Sequence, residues 1–291
     1  MECRTTVTEN IFVFEPAPNV NCHMCNGYGF VLSSRGEFSL ATACTCIPHC
    51  ALCNGKGTRT VIINNEKRTG RCRCQKIHDR ILLFNNACIP AAQGSNTFQN
   101  FMKVNKGTIL ADKSCKTWLQ KYITEPDKRG LILSGQVGRG KTHLLISIIR
   151  SLIFEQGERV RFIEFSRLLS TLRDGFSKGD SNQELMHDLC TVPVLAIDEL
   201  GKGRLTSWEL SVIDDIISGR YNAKGIILAT TNYKWGPPSG KHETVNLAEN
   251  FEAQTLGDRV GERVFSRLQE MCYFAPIQGD DFRAKKTQRL L

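Results

Sequence analysis

The segment Gly135-Gln136-Val137-Gly138-Arg139-Gly140-Lys141-Thr142 constrains the fold more than any other stretch of the chain. It stands between a short apolar run, Leu131-Ile132-Leu133-Ser134, and a longer one, Lys141 to Phe154, that reads as a helix. Strand, glycine-rich loop and helix, in that order, form the setting in which GxxxxGKT holds a nucleoside triphosphate. The glycines let backbone N–H groups converge on phosphate oxygens at a helix N-terminus, where the aligned peptide dipoles also favour an anion. Lys141 is then expected to reach the β and γ phosphates of ATP and Thr142 the Mg²⁺, with Gln136, Val137, Arg139 and His143 completing the nucleotide-binding segment.

The surrounding pattern alternates strand and helix, as a parallel α/β sheet with helices on both faces requires. Asp112 to Ile123 reads as a helix, Val160 to Phe165 as a strand, Arg167 to Phe176 as a helix capped by Ser166, and Asn182 to Cys190 as a helix opened by Ser181 and Glu184. Pro193 to Glu199 is an apolar strand ending in two carboxylates, at the end of the sheet where ligands bind. Asp198 is therefore the expected Mg²⁺ partner and Glu199 the group that positions or deprotonates the attacking water. Thr206 and Glu209 form a capping box for a helix reaching Tyr221, and Ile226 to Asn232 is a further strand whose polar end is suited to sensing the γ-phosphate. Arg259, Arg263 and Arg267 recur every four residues, which on one helix would give a single basic face.

Eight of the 13 cysteines lie between Cys22 and Cys74. Cys22-His23-Met24-Cys25-Asn26-Gly27-Tyr28-Gly29 returns 28 residues later as Cys50-Ala51-Leu52-Cys53-Asn54-Gly55-Lys56-Gly57, and Cys44-Thr45-Cys46 returns as Cys72-Arg73-Cys74 at the same offset. Two thiolates two residues apart hold one side of a tetrahedral zinc and a distant pair completes the shell. Two Zn²⁺ per chain are expected. The duplication favours sequential pairing, with Cys22, Cys25, Cys44 and Cys46 at one site and Cys50, Cys53, Cys72 and Cys74 at the other. The organisation that follows is a zinc module at 1–80, a linker at 81–96 carrying Ile89-Pro90-Ala91-Ala92-Gln93-Gly94, and a nucleotide domain at 97–291.

The P-loop, Asp198-Glu199-Leu200-Gly201, Arg220-Tyr221, Thr230-Thr231-Asn232, Gly261 to Leu268 and Gly279-Asp280-Asp281-Phe282-Arg283 together resemble the AAA+ domain of the DnaC/DnaI helicase loaders and the similar IstB-like transposition helpers. Thr97-Phe98-Gln99-Asn100-Phe101 is similar to the entry segment of that family. The resemblance implies a five-stranded AAA+ sheet, Asn232 as the γ-phosphate sensor, and ATP-bound homo-oligomers in which Arg267, with Arg263 as the second candidate, reaches a neighbour's nucleotide. It also implies a replicative hexameric helicase or a transposase as partner. The CxxCxGxG element resembles the zinc centres of DnaJ-type cochaperones, and that likeness implies the nested pairing instead: Cys44, Cys46, Cys50 and Cys53 against Cys22, Cys25, Cys72 and Cys74. Departures from the loader pattern are a long loop, Tyr233 to Leu256, and the lack of a helical lid after the last strand, which leaves Arg283 as the candidate for the second sensor.

A net charge of +9 agrees with a polyanionic partner, single-stranded DNA being the expected one. The N-terminus carries no secretory signal and the longest apolar run is broken by Arg150, so a cytoplasmic protein without a membrane span is expected. The favoured task is helicase loading. The alternatives are a transposition-helper ATPase and a non-catalytic ATP switch or chaperone-like adaptor with a protein-binding zinc module. Within the favoured reading the zinc module is expected to take the protein partner, while Phe176, Lys178, Lys202 and Arg204 on loops of the ATPase domain face DNA.

Overall fold

The computed structural model describes residues 16–63, 66–178, 182–239 and 254–279. Ser181, Arg283 and the middle of the loop between Tyr233 and Leu256 lie outside these residues, as do the side chains of Phe176 and Lys178. Two antiparallel hairpins come first, β1 (Phe30–Arg35) with β2 (Phe38–Ala43) and β3 (Thr58–Ile63) with β4 (Glu66–Arg71). Helices α1 (Lys76–Asn86) and α2 (Lys106–Thr124) follow. The chain then alternates through β5 (Gly130–Ser134), α3 (Lys141–Ser151), β6 (Val160–Glu164), α4 (Phe165–Lys178), α5 (Gln183–Thr191), β7 (Val194–Asp198), α6 (Ser207–Asn222) and β8 (Ile226–Thr231). Helices α7 (Leu256–Val260) and α8 (Glu262–Met271) lead into the last strand, β9 (Cys272–Pro276).

Strands β5 to β9 form one parallel sheet in the order β6-β7-β8-β5-β9. Successive side chains of a strand point to opposite faces, and here both faces are covered. Val194 and Ala196 of β7 enter a core shared with α1, α2 and α3, while Leu195 and Ile197 enter a second core with α4, α5, α6 and α8. This explains the unbroken apolar run before Asp198, which alternation alone would not give. No described helix is long and apolar enough to cross a membrane.

Several local expectations change. The helix expected from Asp112 starts at Lys106, because Asn105 caps it: its side chain accepts from the Thr108 amide and Thr108 returns the bond. The helix expected to begin after Ser166 begins at Phe165, and the Ser166 hydroxyl donates to Glu164 instead of capping. Asn182, not Ser181, stands at the start of α5, and its amide group donates to the Leu172 carbonyl at 2.8 Å. Thr206 and Glu209 do form their capping box. The arginine repeat is divided, because Gly261 at φ +84° ends α7 and begins α8; Arg259 lies on one helix, Arg263 and Arg267 on the next.

The first hairpin is attached firmly to the core of the five-stranded domain. Phe30 stacks on Phe154 with ring centroids 4.1 Å apart, and Phe84 of α1 closes on the same ring at 5.4 Å. The guanidinium of buried Arg150 faces all three rings and donates to the Gly94 carbonyl. Asn85 holds β2 through both amide atoms, accepting from Ala41 N at 2.7 Å and donating to Ala41 O at 3.1 Å. Residues 81–96, read from the sequence as a linker, include the second half of α1 and a 3₁₀ turn at Ala91–Gln93, with Ile81, Phe84, Ala87 and Ile89 buried in this core. Helix α1 ends before Cys88, which takes φ +59°, and Pro90 just beyond it bridges Phe38 and ties the chain to the hairpin.

Burial of this kind sets a contrast between the two units. Phe30→Ala should cost about 3–5 kcal/mol in chemical denaturation followed through the ATPase domain. Thr58→Ala, at the repeat-equivalent and exposed position, should shift the same curve by about 0.5 kcal/mol or less.

Candidate functional site

The P-loop leaves the C-terminal end of β5 and enters α3, and Gly140 supplies the turn between them with φ +81°. A Cβ at Gly140 would lie 2.7 Å from the Phe101 ring, so both backbone sign and space demand glycine there. Lys141 is buried and its ammonium donates to the carbonyls of Gly135 at 2.7 Å and Gln136 at 2.8 Å. Arg139 donates to Ile277 O and Gln136 Oε1, bracing the loop against the segment after β9. The Thr142 hydroxyl lies 3.0 Å from both carboxylate oxygens of Asp198. The Thr230 hydroxyl donates to Asp198 Oδ1 and accepts the Glu199 amide at 2.9 Å. Burial pushes the Asp198 carboxyl above its ordinary range, and the two hydroxyls only partly oppose that. A hydroxyl that lines the cleft and a buried carboxylate bonded to it are hard oxygen donors of the kind Mg²⁺ accepts, and a cation there would offset the desolvation of Asp198.

Glu199 sits at φ +57°, a left-handed conformation that is uncommon for glutamate and clusters at functional sites. Its carboxylate is paired with Lys202, and that pairing raises the Lys202 ammonium above its usual range. Glu199, Thr230 and Asn232 line a cleft of about 450 Å³ together with Val137, Gly138, Gly140, Lys141, Thr142 and His143. The far wall consists of Gln93, Asn96, Asn100, Phe101 and Met102. These five are functional candidates that residue chemistry alone did not select; Asn100 and Phe101 belong to the family-like entry segment Thr97 to Phe101, and Gln93, Asn96 and Met102 carried no signal of their own. His143 approaches the Thr97 carbonyl through Nε2 at 2.9 Å and packs 5.3 Å from the Phe101 ring. Burial lowers its pKa, and because a carbonyl only accepts, Nε2 carries the proton of that bond and anchors the wall.

The three arginines occupy three different environments. Arg259 is buried under the loop after Glu199, donating to Gly201 O at 2.9 Å and to Gly203 O, with its guanidinium over Tyr233. Arg267 donates to Asp214 at 2.9 Å and to Ser218 on α6, and Arg263 reaches the same Asp214 at 3.4 Å while staying largely exposed. Neither Arg263 nor Arg267 lines the cleft of its own chain.

The eight cysteines form two clusters: Cys22, Cys25, Cys44 and Cys46, then Cys50, Cys53, Cys72 and Cys74, with all sulfurs of a cluster within 4.8 Å of one another. Sequential pairing holds and the nested order is excluded, because each hairpin folds its CxC back onto its own CxxC. Sulfur pairs stand 3.8 and 3.4 Å apart in the first cluster and 3.7 and 3.5 Å in the second. A zinc with bonds of about 2.3 Å needs tetrahedral edges of about 3.8 Å, so both clusters fit Cys₄ coordination. The knuckles repeat in detail: Asn26 and Asn54 both take φ 49°, and the glycines after them take 81° and 78°. Gly29 N–H donates to Cys25 Sγ at 3.4 Å, the kind of outer bond that steadies a thiolate. Burial pushes the Cys46 and Cys74 thiols up to about 12, so a bound cation would displace protons from them.

A family profile described as IstB-like ATP binding protein matches residues 116–289. The replicative helicase loader DnaC of Escherichia coli (strain K12) is 26% identical over 182 residues, covering 62% of this chain and 67% of that protein. DnaC of Buchnera aphidicola subsp. Acyrthosiphon pisum is 26% identical over 175 residues, covering 59% and 62% respectively. Among solved structures, the crystal structure of the DnaC helicase loader superposes with a TM-score of 0.52 at 26% identity, over 64% of this chain and 99% of that one.

The profile begins after both cysteine clusters, so their metal is a matter for direct measurement. Protein purified without chelator should carry two zinc ions per chain, and Cys72→Ser should leave one while keeping the ATPase core folded. A spectrum with iron–sulfur absorption would contradict the assignment.

Proposed function

We infer that this chain, which belongs to the family of IstB-like ATP-binding proteins, is an AAA+ ATPase that loads a replicative hexameric helicase onto DNA. The observation that carries the reading is the similarity to DnaC over 182 residues, 62% of this chain, joined to a cleft lined by the P-loop, Glu199 and Asn232, with Asp198 bonded to Thr142 of that lining. Transposition help remains the second reading, favoured by the name of the family itself.

The Lys141 ammonium donates to two loop carbonyls. A triphosphate offers it a stronger, charged acceptor in the same place. Thr142 and Asp198 would hold the Mg²⁺, whose charge, when bound, offsets that of the phosphates. Asn232 is positioned on the cleft wall to contact the γ-phosphate and report its loss through β8. Glu199 is the water-positioning group, and the Lys202 ammonium on its Oε2 holds the carboxylate turned toward the loop. Lys202 therefore restrains hydrolysis. Contact of the Lys202 and Arg204 loop with single-stranded DNA would draw the ammonium to a phosphate and free Glu199, which couples DNA to turnover.

The three roles separate in one set of ATPase measurements. Lys141→Ala should lose ATP binding, and Glu199→Gln should bind ATP but turn over about 10²–10⁴-fold more slowly, the usual range for loss of a catalytic base. Lys202→Ala should raise the rate without DNA and lose most of its stimulation by single strands. In an assay of helicase delivery to coated single-stranded DNA, only the parent chain should sustain repeated loading; delivery that proceeds without this chain's ATP turnover would remove the loader reading.

Arg267, held against α6 outside its own cleft, is proposed as the residue that reaches a neighbour's γ-phosphate, with Arg263 beside it. Such arginines contribute about 10³–10⁵ in rate. Arg267→Ala subunits mixed with Lys141→Ala subunits should recover activity, since one supplies an intact P-loop and the other an intact arginine. Mixed oligomers that stay inactive at every ratio would assign Arg267 to α6 packing alone.

A further inference from the structure

The repeat places two ribbons of the same backbone in one chain, and their equivalent faces have opposite fates. In an antiparallel pair, residues directly opposite share a face. In the first ribbon one face carries Phe30, Leu32, Ser34, Ser39, Ala41 and Ala43. Phe30, Ser39 and Ala41 are buried and Leu32 half-buried, because this is the face that packs on α1 and Phe154.

The same six positions of the second ribbon, 28 residues on, are Thr58, Thr60, Ile62, Lys67, Thr69 and Arg71. All six are exposed, Ile62 to 71%. An apolar face has been replaced by three hydroxyls and two cations. Glu66, the acidic residue of this ribbon, lies on the opposite face, paired with Arg68 at 2.9 Å. Arg71 reaches Asp79 of α1, side chains that are 65% and 39% exposed, and such a pair is weak enough to exchange for another anion. From Cys50 to Lys76 the unit holds seven basic residues against one acidic; from Cys22 to Pro48 the first unit holds one of each.

We propose that the exposed Thr58–Lys67–Arg71 face of the second zinc ribbon is a binding surface for the phosphate backbone of duplex DNA. Threonine hydroxyls, lysine and arginine are the donors that proteins use on phosphate oxygens. A two-stranded ribbon has the width that the major groove accepts. The occupant is double-stranded because the unit lacks the other ingredient of single-strand binding: no Phe, Tyr or Trp occurs between Cys50 and Lys76, so there is no platform on which unstacked bases could sit. The four-cysteine cluster, with Cys53 and Cys72 buried, gathers the base of the ribbon, and a zinc held there would present the face rigidly. This assigns DNA to a part of the zinc module that the sequence reading gave to a protein partner, and it does not depend on the loader reading.

The test is fluorescence anisotropy of the full-length, zinc-loaded protein on a labelled duplex of arbitrary sequence, titrated with salt. Lys67→Ala/Arg71→Ala should bind on the order of tenfold more weakly at low salt and lower the slope of log K against log salt by about 2, since each phosphate contact contributes about 0.9. Lys67→Arg/Arg71→Lys should restore both. Two zinc ions and an unchanged ATPase rate without DNA confirm that each variant is folded. Equal affinity and equal slope for the parent and the double alanine variant would overturn the proposal. So would an alanine variant that keeps the duplex but loses an acidic protein partner, which would make the face a protein-docking site. Failure of single strands to stimulate the parent ATPase bears on the loader reading and leaves this result standing.

Discussion

The buried carboxylate of Asp198 is the group around which the nucleotide domain is arranged. It stands at the end of a strand covered on both faces, where an ionised oxygen without partners would be strongly unfavourable. Two hydroxyls from different elements relieve it: Thr142 from the start of α3 and Thr230 from the end of β8. The sheet order makes this possible, since β8 lies between β7 and the strand that launches the P-loop. Thr230 also accepts the amide of Glu199, so the same side chain that steadies the Asp198 carboxylate fixes the left-handed turn of the next residue. Arg259 then holds the following loop by its carbonyls. One desolvated charge thereby dictates hydroxyls, strand order and loop conformation together.

The features legible from sequence were those set by local chemistry or strict periodicity. The P-loop, the strand ending at Asp198 and the capping box at Thr206 depend on residues within a few positions of one another, and each stands where the pattern put it. The cysteine spacing named both quartets but left their pairing between two orders, because pairing is decided by hairpin closure and not by spacing. The far wall of the cleft was hidden for a related reason. Asn100 and Phe101 precede the P-loop by more than 30 residues and reach it through folding of the chain around α2. The arginine face failed at Gly261, where a single glycine in an extended, positive-φ conformation divides what periodicity reads as continuous. Burial of the first hairpin was invisible too, since Phe30 and Ala41 alternate as any half-buried ribbon would.

The two zinc units illustrate how one backbone can take on different chemistry. A structural zinc is worth about 10–16 kcal/mol in peptides, so the ion that each cysteine cluster fits would supply most of the folding free energy of so small a module. Its surface residues are correspondingly released from forming a core of their own. In the first unit that freedom is used to join the ATPase domain; in the second it leaves a polar ribbon in solvent.

The stack of Phe30 on Phe154 joins residues more than 120 positions apart. A ribosome adding about 5–20 residues per second completes the first hairpin on the order of ten seconds before the ring that covers it emerges. During that interval the nascent chain displays an apolar ribbon without the ring that later covers it, and is open to capture by folding helpers or by another nascent copy. The second hairpin, polar on the corresponding face, passes through the same interval without that exposure.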